Sequence, residues 1–271
     1  MADVSVADAR VPVLMYHAVA ADPGRATRAL SVTPRAFAGQ MAAIAERGLT
    51  PVSTAHLAAA WRFGRPLPDR PVLITFDDGY EGVHRYALPV LAEHGFPATV
   101  FVTTGWLRGP YDTGGAPDTM LDWEQTRELA AAGVEIGGHS HTHPQLDQLG
   151  EERLRFELIH CKEIIADRLG AAPASFAYPY GYSDRRVRRA VRETGYAQAL
   201  AVGNGLAHRR QGPYALRRVT VRRSTGPEEF ARLVEGRAIG RAFAGDRALT
   251  KGYAVLRRAR QVRRGTAAAG A

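Results

Sequence analysis

Apolar residues recur along the chain in two alternating rhythms. Short apolar-rich runs read as strands over residues 11–19, 72–76, 98–103, 134–138, 175–178, 198–202 and 215–221. Between them lie longer stretches with apolar positions three or four apart. These read as helices over 34–47, 54–61, 84–94, 123–132, 151–169, 184–193 and 228–234. In the first helix Phe37, Met41 and Ile44 share a face, and Pro227 stands at a helix start, where proline is tolerated. Such alternation predicts parallel strands covered by helices. Gly, Pro and Asp dominate residues 105–119, a connection longer than usual and therefore expected to face a substrate.

Two of the strand ends carry reactive side chains. One runs into Asp77-Asp78-Gly79-Tyr80 and the other into His139-Ser140-His141-Thr142-His143. Each alone has a plain reading, since Asp and Gly both suit turns and a His-rich pentapeptide can be a polar loop. Together, at the carboxyl ends of strands where α/β folds gather their sites, they point to chemistry. A catalytic zinc takes three protein N or O ligands and keeps one position open. Asp78, His139 and His143 meet that requirement, which leaves Asp77 as a base beside water on the metal.

The segment Thr75-Phe76-Asp77-Asp78-Gly79-Tyr80, followed by His139-Ser140 and His143, resembles the first two motifs of the polysaccharide deacetylases, carbohydrate esterase family 4 with its NodB-homology domain. Phe176-Ala177-Tyr178-Pro179-Tyr180-Gly181 is similar to the third motif, and the resemblance spans roughly residues 11–234. It implies an α/β fold, a distorted (β/α) barrel. It also implies a divalent metal, usually Zn2+ although other divalent transition metals would serve. The implied activity is hydrolysis of the linear amides of N-acetylhexosamine-containing poly- or oligosaccharides. Residue by residue, the resemblance implies Asp77 as general base and Asp78, His139 and His143 as metal ligands. It implies that the Tyr180 backbone N–H helps to hold the developing oxyanion. His141 receives no role and is read as loop or support for the site.

Two departures from the family pattern support one another. Ala177 stands where the third motif usually has an Arg, and no late Leu-x-His segment supplies the general acid. The opening Val13-Leu14-Met15-Tyr16-His17-Ala18-Val19, however, resembles the Tyr-His segment of a subgroup typified by poly-N-acetylglucosamine deacetylases. There the barrel order looks circularly permuted, and the resemblance implies His17 as acid; a core-packed histidine is the plain alternative. Arg218, in the strand-like 215–221, is the expected partner of Asp77, because a guanidinium fork can hold a carboxylate bidentately. Among the aromatics near the motifs, Trp106 and Tyr111 in the long loop are favoured for stacking on sugar. Tyr178, Trp123, Tyr182 and Asp184 are further candidates for substrate contact.

Composition adds boundaries. With 271 residues and 45% apolar content the chain can bury one substantial core, and the lone Cys161 excludes an internal disulfide. Of the formal charge of +9, the segment 237–271 carries nine basic residues against Asp246, so residues 1–236 are almost neutral. We therefore divide the chain into a catalytic domain over 1–236 and a basic tail over 237–271, with a basic-faced helix expected over 254–262. The tail reads as a solvated extension or as a weak contact to an anionic surface. No specific nucleic-acid partner is expected, and the expected partner is an acetylated glycan. Residues 1–10 lack the apolar core of a signal peptide and no run approaches a membrane span, so a cytoplasmic location is expected unless another route leads to the cell surface. An O-acetyl esterase on the same scaffold and a noncatalytic glycan-binding protein remain as alternatives.

Overall fold

The chain threads strands and helices in near-strict alternation, as the hydrophobic rhythm predicts. The computed structural model describes residues 9–245 and Tyr253. In order it contains β1 (Val13–Tyr16), α1 (Pro34–Glu46), β2 (Thr50–Pro51), α2 (Thr54–Phe63), β3 (Pro71–Phe76), α3 (Leu88–His94), β4 (Thr99–Val102), α4 (Trp123–Ala131), β5 (Glu135–Gly138) and α5 (Glu151–Leu169). The rest comprises β6 (Ser175–Ala177), α6 (Arg185–Glu193), β7 (Gln198–Leu200), β8 (Val219–Thr220), α7 (Pro227–Val234) and α8 (Ile239–Ala242). Among the described residues no helix is long and apolar enough to cross a membrane.

The strands pair in parallel in the order β7-β6-β5-β4-β3-β1-β8, with β2 branching onto β3. Leu216 also bridges Leu200 in parallel, while β8 pairs with β1 through Leu14–Val219 and Met15–Thr220. The segment 213–220 thus touches both edges and curls the sheet into a distorted (β/α) barrel. Alternation along each strand sorts the side chains. Val13, Leu73, Phe101, Ala177, Leu200 and Leu216 meet one another across non-adjacent strands, so they fill the interior, where Leu57 and Trp61 of α2 join them. Leu14, Ile74, Val100 and Val102 point outward into a second core with Phe37, Met41 and Ile44 of α1.

Local chemistry fixes the helix ends. Thr33 and Ser53 cap α1 and α2 by accepting from Ala36 N and His56 N, and Asp122 and Gln125 form a reciprocal capping box on α4. The helix expected over 84–94 begins instead as a wide turn, Val83–Ala87, with i→i+5 bonding before α3. Pro89 has no N–H to offer the carbonyl four residues back, and the chain relaxes into the wider turn. The strand expected over 215–221 shrinks to two residues because the chain changes partner, from β7 to β1, between Leu216 and Val219. The packed body also runs past the boundary drawn at 236. Ile239 and Phe243 are buried with Val219 and Leu233, because two apolar residues there find an uncovered face. The rest of the basic tail, with the helix expected over 254–262, lies outside the described residues apart from Tyr253.

Candidate active site

Most reactive side chains singled out above hang from the carboxyl end of a barrel strand or from the turn that follows it; Trp123, Asp184 and Arg218 are the exceptions. Asp77 and Asp78 follow β3, His17 follows β1, His139 to His143 follow β5, Tyr178 and Tyr180 follow β6, and Arg218 precedes β8. The backbone is unusual here. Of the seven described non-glycine residues at positive φ, four belong to this mouth: Asp78 (75°), Ser140 (66°), His143 (59°) and Tyr180 (59°). Each such residue costs about 1–3 kcal/mol and persists only where the surroundings hold it.

The surroundings do so through the main chain. Thr103 N donates to Asp78 O (3.2 Å), Thr104 N to Ser140 O (3.3 Å) and Gly105 N to His141 O (2.7 Å). The connection after β4 therefore stitches the Asp loop to the His loop. At Gly105 a Cβ would sit 2.6 Å from the His141 carbonyl oxygen, so only glycine permits that approach. From the other side Glu157 of α5, fully buried, accepts from His141 N (2.9 Å), Thr142 N (2.8 Å) and Thr142 Oγ1 (2.6 Å), and pairs with Arg153 at 2.8 Å. Sequence reasoning missed Glu157, which on a helix of mixed charges looks like one more exposed acid.

Asp78, His139 and His143 converge. Asp78 Oδ1 lies 3.2 Å from His139 Nε2 and 3.3 Å from His143 Nε2, and one ligand atom from each residue falls within 4.8 Å of the others. Ligands spread around one zinc at about 2.0–2.2 Å stand roughly 3.0–3.5 Å apart, so the spacing fits. The donor chemistry fits as well. Asp78 Oδ1 is buried but hydrogen-bonds to neither ring, which is costly unless something else satisfies it. His139 Nδ1 lies 2.8 Å from the Ala177 carbonyl; a carbonyl only accepts, so Nδ1 carries the proton and Nε2 turns its lone pair toward Asp78.

Asp77 sits beside this cluster in the grip of Arg218. The guanidinium donates from Nη1 to Oδ1 (2.6 Å) and from Nη2 to Oδ2 (2.7 Å), and both side chains are buried. Arg218 is itself held by the Ala201 carbonyl (3.2 Å) and the Thr75 hydroxyl (3.3 Å). Burial alone would raise the Asp77 pKa, but Arg218 and then His139 outweigh it, leaving the carboxyl below its ordinary value. His17 lies close enough to feel Asp78, Asp77 and Arg218. Burial depresses its pKa, and the two carboxylates only partly oppose that shift. Its Nδ1 is buried and unpartnered among the described residues.

Aromatic rings frame the opening. The His143 ring has Trp106 at 4.6 Å and Tyr180 at 4.8 Å between centroids, and Tyr182 stacks on Tyr180 at 6.1 Å. Four candidates for substrate contact are placed otherwise. Tyr178 is fully buried, its hydroxyl donating to the Tyr214 carbonyl at 3.0 Å, because the strand alternation turns it into the core. Trp123 is buried at the start of α4, and Asp184 caps α6 by accepting from Val187 N at 2.8 Å. Tyr111 packs against Trp123 and His160 over α5, with no ring contact to His139 or His143 among the described residues. His141 bonds Thr104 Oγ1 at 2.9 Å and packs on His160, so it props the loop.

A family profile described as polysaccharide deacetylase matches residues 64–199. The chain belongs to the polysaccharide deacetylase family. Family members are hydrolases of carbon–nitrogen bonds. The chain is 27% identical over 227 residues to YxkH of Bacillus subtilis (strain 168), across 84% of this chain and 77% of that one. It is also 27% identical over 242 residues to the poly-beta-1,6-N-acetyl-D-glucosamine N-deacetylase of Escherichia coli (strain K12), covering 76% of this chain but only 36% of that protein. Among solved structures, the Streptococcus pyogenes deacetylase PplD in complex with acetate superposes with a TM-score of 0.75 at 24% identity, over 84% of this chain and 99% of that one. IcaB from Ammonifex degensii gives 0.68 at 23% identity, over 84% and 96%. The deacetylase barrel is thus the fold of this chain.

Proposed function

We propose that this deacetylase removes N-acetyl groups from an N-acetylhexosamine-containing glycan, with Zn2+ held by Asp78, His139 and His143. One observation carries the reading: three convergent ligand atoms lie beside a separate carboxylate that is held ionised by a buried arginine. The chemistry such an ion supplies when bound is Lewis acidity, which polarises a carbonyl and makes water more acidic. Asp77 then accepts the proton of the water that attacks the acetyl carbon, and Arg218 keeps both carboxylate oxygens in place while it does so. The Tyr180 N–H helps to stabilise the oxygen that gains charge, as preorganised donors do. As the C–N bond breaks, His17 gives a proton to the departing amine. Burial lowers the His17 pKa, while the neighbouring Asp78 and Asp77 carboxylates act in the opposite direction and favour the protonated form this step needs. Trp106 and Tyr180, flanking His143, offer apolar ring faces to the sugar.

The name of the E. coli relative supports a poly-N-acetylglucosamine-like substrate, although this chain spans little more than a third of that protein. The test is acetate release from chitooligosaccharides, poly-N-acetylglucosamine, peptidoglycan fragments and acetylxylan. Release from the N-acetylated members, abolished by a chelator and restored by Zn2+, is the expected result. Release from acetylxylan alone would make the protein an ester hydrolase.

A further inference from the structure

Beside the Asp78–His139–His143 cluster, at the same strand ends, lies a cavity of about 440 Å³. It begins at Tyr180, whose ring already touches His143, and extends between the turn after β6 and the segment leading to Arg217. A volume of this order suits a small ligand such as a sugar ring. Tyr180 and Tyr182, nearly parallel at 18°, form one wall. Ser183 and Gln211 add polar groups, and Arg188 and Arg217 complete the lining, in which there is no acidic residue.

The two arginines are free to act on a ligand. Arg188 donates its Nε to Ser183 Oγ at 3.0 Å, which fixes the guanidinium at the rim. Neither Arg188 nor Arg217 pairs with a carboxylate among the described residues, whereas Arg186 on the same helix as Arg188 pairs with Glu151 and Arg189 with Glu193. Both residues are exposed. Two unpaired guanidinium groups facing one aromatic-walled cavity constitute a site for an oxyanion.

We propose that this cavity is a subsite for an acidic sugar residue, so that the substrate is an anionic glycan. Resting on the deacetylase reading above, the acetylated sugar occupies the metal cluster, and a neighbouring residue bearing a carboxylate or phosphate reaches Arg188 and Arg217. The arginines take no part in bond breaking. They choose the chain and its direction across the barrel mouth, since an acid group on the wrong side of the acetylated unit meets Trp106 instead.

The test compares the whole chain with its R188Q/R217Q variant on three tetrasaccharides of equal length. One is neutral N-acetylglucosamine, one alternates N-acetylglucosamine with glucuronate, and one is a phosphate-substituted N-acetylglucosamine chain. Acetate release and calorimetric binding are both measured. The wild type is expected to favour a charged chain over the neutral one by about tenfold or more in kcat/KM, through KM, with the preference fading as salt rises. The variant is expected to lose that ratio, and the better of the two charged arms identifies the acid group. Equal kcat/KM and equal binding for charged and neutral chains would overturn the subsite while leaving deacetylation intact. Should no chain release acetate, the deacetylase reading fails instead, and binding alone decides the subsite: preferential binding lost in the variant supports it, and indifference refutes it.

Discussion

Replacing Arg218 by Met removes the charge while keeping much of the side chain's length and apolar bulk. The structure gives the size of the effect. Asp77 is buried, ionised and bonded through both oxygens to this one guanidinium, at 2.6 and 2.7 Å. Stripping one member from a buried pair typically costs about 3–5 kcal/mol, because the other charge is left without a partner. Set against a total stability of about 5–15 kcal/mol, that is a large fraction. At about 2–4 °C per kcal/mol for a domain of this size, the midpoint should fall by on the order of 10 °C. The decisive measurement is a double-mutant cycle by urea unfolding, with reversibility checked, on wild type, Arg218→Met, Asp77→Asn and the double variant. Asp77→Asn removes the charge that Arg218→Met strands, so the double variant should be more stable than Arg218→Met alone. The coupling should reach about 2 kcal/mol or more. Strictly additive losses, or an Arg218→Met cost below about 1 kcal/mol, would refute the claim that the guanidinium holds this carboxylate charged.

His143→Ala should lower bound zinc, measured by elemental analysis after dialysis, from one ion per chain to a small fraction, and should erase the stabilisation that added Zn2+ gives the wild type. His17→Ala should slow amide hydrolysis by about 100-fold or more while sparing an activated acetate ester, whose leaving group needs no proton; equal losses would make His17 structural. Glu157→Ala strands the N–H groups of His141 and Thr142, so zinc affinity should fall by about tenfold, read by competition with a chromogenic chelator; an unchanged affinity would show that the loop holds itself. Cys161 is fully buried and its thiol is pushed up to about 12 by burial, so a thiol reagent at mildly alkaline pH should label it only as the protein unfolds, and rapid labelling of the native chain would contradict its position.

Legibility from sequence followed physical range. Strands buried on both faces announce themselves as largely apolar runs, so β1, β3 and β4 were readable, and so was the distorted barrel. A two-residue strand containing proline, such as β2, has no pattern to read. Nor does the change of partner inside 215–221, which only closure of the sheet dictates. At the mouth, the adjacency of Asp77 and Asp78 and the four-residue spacing of His139 and His143 are local features, and the structure brings Asp78 together with both histidines. Arg218 was anticipated from the gap at Ala177 rather than from its own surroundings. Tyr178 and Trp123 were misread because an aromatic near a motif looks the same whether the pleat turns it toward solvent or toward the core. Glu157 escaped notice because its partners are backbone N–H groups, and these leave no trace in composition.

The three main-chain bonds from residues 103–105 to the Asp and His loops carry a consequence for how the mouth tolerates change. A peptide group offers the same donor whatever side chain it bears. Thr103 and Thr104 could therefore be exchanged, with loss of their hydroxyl contacts, and the seam between the two loops would still close. Gly105 has no such latitude, since the seam itself occupies the space of its missing carbon. The turns that bring Asp78, His139 and His143 together are thus held by atoms that every amino acid shares and by one position that only a single amino acid can fill.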